Sequence, residues 1–168
     1  SILNVTIDVN TSINLNHLKI YGQGATANER LLVAIGVGDT LNVAGNFEMV
    51  SAGSDTLNTF NLNLGTIDVK GNLISDLYAR GGTTLIKITG NTAQKYSGNA
   101  GWFPDIELNT TGSFEPDVGV VYFGCGNLTV TNGSFTSPTD LYIRKSFVVS
   151  GGTFLHNNGR VYFEPEIQ

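Results

Sequence analysis

Three phrases, Val121-Tyr122-Phe123, Leu141-Tyr142-Ile143 and Val161-Tyr162-Phe163, follow one another at a spacing of twenty residues. On a strand, side chains alternate between faces, so each triplet turns two apolar groups inward and a tyrosine outward. A unit this short cannot bury its apolar face alone; copies must stack on copies. The repetition extends beyond the triplets. Ile106-Glu107-Leu108 leads into Phe114, Leu128-Thr129-Val130 into Phe135, and Phe147-Val148-Val149 into Phe154. Each unit therefore reads as three short strands separated by corners. The predicted fold is an all-β solenoid, a right-handed parallel β-helix of about six or seven turns. Its expected core columns are Val121/Leu141/Val161, Phe123/Ile143/Phe163, Ile106/Leu128/Phe147 and Phe114/Phe135/Phe154. The competing fold is an antiparallel β-sandwich or jelly roll, in which Gly-Asn marks hairpin turns. Hairpins have no reason to keep a constant period.

The earlier chain follows the same grammar less regularly. Leu41, Ile67 and Ile86 read as first-strand residues preceding Val121, which makes the spacings 26, 19, 35, 20 and 20. Insertions are expected where the spacing is long, above all an inserted loop over 91–104. Residues 1–35 read as an N-terminal cap or an irregular turn, and 1–168 as a single domain. Asn46, Asn72 and Asn127 close corners, where Asn accepts left-handed backbone and stacked Asn side chains can bond along the coil.

Composition agrees with many short strands. Charged residues are 14% of the chain, well under the usual quarter, and Gly numbers 21. The net charge of −5, with no basic cluster, argues against a nucleic-acid partner. No apolar run reaches the roughly 18 residues of a membrane span, so no membrane insertion is expected. The single Cys125 excludes an internal disulfide and is expected to point inward. Low charge with abundant Asn, Gly and Thr favours a secreted, extracellular or cell-surface location.

The segments DLYIRKSFVVSGGTFLHNNGRVYF (140–163) and GNAGWFPDIELNTTGSF (98–114) resemble repeat units of large bacterial cell-surface, adhesin-like proteins. The likeness covers about residues 99–163, with LNVAGNF and IDVKGNL as weaker echoes. It implies β-helical stalks, secretion and surface attachment, and it supplies no catalytic residues.

The candidate site residues are aromatic. Tyr122, Tyr142 and Tyr162 should form an outward ladder with a step of about 4.8 Å. Such a ladder can stack a surface glycan or bury itself against a partner, or it can merely brace neighbouring strands. Trp102, beside Tyr96 and Phe103 in the expected loop, is a second candidate for ligand or partner binding. Carboxylates at i, i+2 spacing (Asp105/Glu107, Glu115/Asp117, Glu164/Glu166) share strand faces and read as solvated acids. A lyase or hydrolase on this fold would need them clustered with a basic residue, and Asp68 with Lys70 and Lys87 offers the nearest approach. His17 and His156 lack a metal-ligand pattern, and no nucleophile elbow or phosphate loop is present. No cofactor, metal or catalytic residue is expected. The functional expectation is a non-catalytic structural or adhesive segment of a surface protein or fibre, self-associating end to end or laterally. A carbohydrate-binding module and a polysaccharide-cleaving enzyme are the alternatives.

Overall fold

The computed structural model describes residues 2–7, 12–22, 30–51, 60–75, 79–98 and 102–164, which form strands and turns with no helix. The first turn of the coil is β1 (Ile2–Ile7), β2 (Ser12–Leu15) and β3 (Leu18–Gly22). The second is β4 (Arg30–Ile35), β5 (Thr40–Val43) and β6 (Phe47–Ser51), the third β7 (Phe60–Asn63), β8 (Thr66–Val69) and β9 (Leu73–Ser75). The fourth is β10 (Ala79–Gly82), β11 (Leu85–Ile88) and β12 (Gln94–Ser97). In the fifth, β13 (Trp102–Phe103) precedes the long β14 (Asp105–Pro116), and in the sixth β15 (Tyr122–Cys125) precedes β16 (Leu128–Thr136). The seventh is β17 (Asp140–Ile143), β18 (Phe147–Val149) and β19 (Thr153–Leu155), after which β20 (Arg160–Phe163) opens another.

Every strand pairs in parallel with its counterpart one turn away, and the first strands alone make the order β1-β4-β7-β10-β13-β15-β17-β20. Second and third strands form two further faces, joined where β14 and β16 run across both. The architecture is thus all-β, parallel and solenoid-like. No antiparallel pairing occurs among the described strands, so the sandwich alternative fails. Because the coil closes around its own interior, side chains along its central strands alternate between the interior and the outside. The half-buried/buried alternation of β5, β8, β11 and β17 is the direct result.

The core is a set of vertical columns. Leu41, Ile67, Ile86, Ile106 and Leu128 stack in register, as do Val43, Val69, Ile88, Leu108 and Val130, and all ten are buried. Phe114, Phe135 and Phe154 stack as expected, and Phe147 follows Leu128.

Four expectations need correction. Leu41, Ile67 and Ile86 continue into Ile106, not Val121, so the 35-residue gap does not exist. Within 91–104 the described residues carry β12 and β13, both paired on each side, in place of the expected inserted loop, while 99–101 lie outside the described residues. Residues within 1–35 form a register-paired turn, with Ile13 opposite Leu41 and Leu18 opposite Phe47. Finally, Leu141 lies opposite Phe123, and Ile143 opposite Cys125. Val121 precedes the strand and is 61% exposed. The true columns are Phe123/Leu141/Val161 and Cys125/Ile143/Phe163. A two-residue slide preserves the inside–outside alternation, so both registers look alike from pattern alone.

Candidate functional site

On the outer face of the first-strand sheet, Trp102, Gly124, Tyr142 and Tyr162 occupy one column. Tyr122, Asp140 and Arg160 occupy the next. Gly124 therefore stands where later turns carry tyrosine. A Cβ there would lie 2.7 Å from Trp102 Cε3 and 2.8 Å from the Tyr122 hydroxyl, so the phenol of Tyr122 leans across the glycine into the column. The result is a continuous aromatic row. Trp102 meets Tyr122 and Tyr142 edge-on, each at 5.8 Å between ring centroids. Tyr122 and Tyr142 are 4.9 Å apart at 33°. Tyr142 and Tyr162 stack at 4.5 Å and 12°.

Charge frames this row. The Arg144 guanidinium carbon lies 3.4 Å from the Trp102 ring centroid, a cation–π contact that also covers the indole. Arg160 donates to Asp140 through Nε at 2.9 Å and through its terminal nitrogen at 2.8 Å, and sits 5.5 Å from the Tyr162 ring. Partial burial pushes the Tyr122 phenol well above its usual range despite the opposing pull of Arg144. Desolvation raises Tyr142 as well, with Tyr162, Asp140 and Glu164 adding to it.

The three tyrosines and Trp102 are brought together as one cluster, though Trp102 stands on a strand and is only 8% exposed. Tyr96 is not part of it. It points inward at 1% exposure, packs on Phe114, Phe123 and Phe135 at 5.0, 4.6 and 5.8 Å, and donates its hydroxyl to the Thr136 carbonyl at 2.7 Å. Its assignment as a binding residue is corrected to a core residue. Alternation explains this: within β12 Gln94 and Tyr96 face in, Lys95 and Ser97 out. Arg144, Gly124 and the Arg160–Asp140 pair were missed. Nothing in the local pattern marked Gly124 as a strand residue, although it and Cys125 complete β15.

Because Tyr142 and Tyr162 present their ring faces to each other, the half-exposed row offers mainly ring edges and hydroxyls. Asn42, Asp68 and Lys87 are not upstream members of this row. Those residues lie on the second-strand face, in a column with Glu107 and Thr129.

On that face the acids are each engaged. Asp105 accepts from the Asn127 N–H at 3.0 Å, Asn127 Nδ2 at 2.7 Å and Lys145 Nζ at 3.0 Å. Glu107 pairs with Lys87 at 3.4 Å, and Asp68 accepts from the Thr89 hydroxyl. On the third face Asp117 pairs with Lys95 at 3.2 Å, and the Val118 N–H, then Lys95, hold its carboxyl below the usual range. Glu166 lies outside the described residues. Among the described residues no cluster of three metal-ligating side chains occurs, and no helix is long and apolar enough to cross a membrane. Cys125 is fully buried, as expected, and burial pushes its thiol upward.

No family model matches the chain, and the searches of curated proteins and of solved structures also found no match.

Proposed function

We propose that this chain is a right-handed parallel β-helix serving as a non-catalytic structural and adhesive segment of an extracellular surface protein or fibre. The hand follows the strong preference for right-handed crossovers between parallel strands. The observation that carries the functional reading is the aromatic row Trp102–Tyr122–Tyr142–Tyr162 on the outside of the coil. Tyrosine edges flanked by an arginine–aspartate pair make a flat, amphipathic surface suited to lateral contact with another copy or with a polar surface. The exposed Val118 and Val121, in the segment entering that face, add apolar area. The resemblance of residues 99–163 to surface-protein repeats supports the same setting.

The test is light scattering across a concentration series, beside a glycan array, on the wild-type chain and on Tyr142→Ser/Tyr162→Ser. Mass that grows with concentration, or retention on a glycan, lost in the variant, supports the proposal. A monomer at all concentrations that retains no glycan overturns it. Cleavage of a polysaccharide, abolished by Asp105→Asn, replaces it with the enzymatic reading.

A further inference from the structure

We infer that Tyr142 and Tyr162 form an oxidative cross-linking site, at which a haem-peroxidase-type oxidant with hydrogen peroxide joins the two rings as dityrosine and staples neighbouring turns. The two residues are direct register partners on adjacent parallel strands. Their rings are nearly parallel at 12° and 4.5 Å between centroids, so the carbons ortho to each hydroxyl face the other ring. Both side chains are half-exposed, which admits an oxidant and leaves room for the rings to tilt as the bond forms.

The chemistry balances. Each phenol gives up one electron and its hydroxyl proton, and the two phenoxyl radicals couple through their ortho carbons. The two ortho hydrogens then return to the oxygens as the rings regain aromaticity. Two electrons and two protons leave in total; with the two protons, peroxide takes the electrons and becomes two waters. Among the described residues the surroundings direct the reaction to this pair. Trp102 carries the Arg144 cation over its ring, which opposes loss of an electron there. Tyr122 is tilted at 33° to Tyr142. Tyr96 is buried with its hydroxyl committed to Thr136, and Tyr21 lies on the first turn of the coil. This inference does not depend on the adhesive reading.

The experiment oxidises dilute native protein with peroxidase and peroxide and maps the product after trypsin. Arg144, Lys145 and Arg160 lie between the two tyrosines, so cleavage separates peptide 96–144 from peptide 161–168. Expected is monomeric protein with dityrosine fluorescence and these two peptides linked, two hydrogens lighter than their sum, with fragmentation placing the bond at Tyr142. Tyr142→Phe abolishes that bond, Tyr21→Phe leaves it, and oxidation in denaturing urea scatters the links over all tyrosines. Absence of dityrosine, links only between chains, or the same link pattern in native and urea-denatured protein would overturn the inference.

Discussion

Gly124 sits opposite Trp102 on one side and Tyr142 on the other, and its missing side chain is what admits the Tyr122 phenol to the row. Gly124→Ala is expected to cost about 1–3 kcal/mol, because an added methyl displaces a bulky indole or phenol in a filled site. Urea denaturation followed by tryptophan fluorescence checks this, with the native emission also shifted. Tyr96 shows the opposite case, a polar tip satisfied inside the core. Burial raises its phenol far above the ordinary value of about 10, and Tyr122 and the Cys125 thiol shift the same way. Acids whose folded pKa is raised contribute full stability below the unfolded pKa and lose it as pH rises. Stability should therefore fall from about pH 8.5 for the thiol, and more steeply above about pH 10 for the phenols. Denaturation midpoints across that range measure the slope. Tyr96→Phe should flatten its upper part while costing about 0.5–1.5 kcal/mol at neutral pH for the lost bond to Thr136.

Corners, rather than strands, carry the polar bookkeeping of each turn. At the corner before the third strand, the Asn46 N–H donates to His17 Nδ1, the Asn72 N–H to Asn46 Oδ1, and the Lys95 N–H to Asn72 Oδ1. A second such rail runs Asp105, Asn127, Ser146 at the corner before the second strand. Contrary to the expectation from their residue type, Asn46, Asn72 and Asn127 are not left-handed. Among the described residues the non-glycine left-handed positions are Leu64, Asn157 and Asn158. Their part is to lend a side-chain acceptor to the next turn where the backbone ladder breaks. Asn72→Ala should therefore cost about 1 kcal/mol or somewhat more by orphaning a partly buried N–H, while Asn72→Asp, which keeps the acceptor, should cost less. Chemical denaturation of both variants separates the two. The exposed lysine–carboxylate pairs are each expected to matter little.

Along the whole molecule the energetics should vary with position. Phe114, Phe123 and Phe135 are fully or almost fully buried around Tyr96, with Phe135 at 5.8 Å from its ring. Phe154 stacks on Phe135 at 6.1 Å but remains partly exposed in the seventh turn. Phe135→Ala is expected to cost about 3–5 kcal/mol and Phe154→Ala clearly less. Equal losses in denaturation experiments would contradict a core that is continuous along the coil.

A strand repeat of about twenty residues, parallel pairing, and the stacking of Phe114/Phe135/Phe154 and of Ile106/Leu128/Phe147 were all legible in the amino-acid pattern. Inside–outside periodicity and repeat spacing are local properties, and they survive without knowledge of neighbours. The face each strand joins, the two-residue offset that pairs Leu141 with Phe123, and the burial of Tyr96 follow from packing between turns. A shift by two residues, or by one face of a three-faced coil, leaves every local pattern intact. What distinguishes the alternatives is whether Cys125 and Tyr96 fill the interior and whether Gly124 leaves room for an indole, and those are questions of volume between turns.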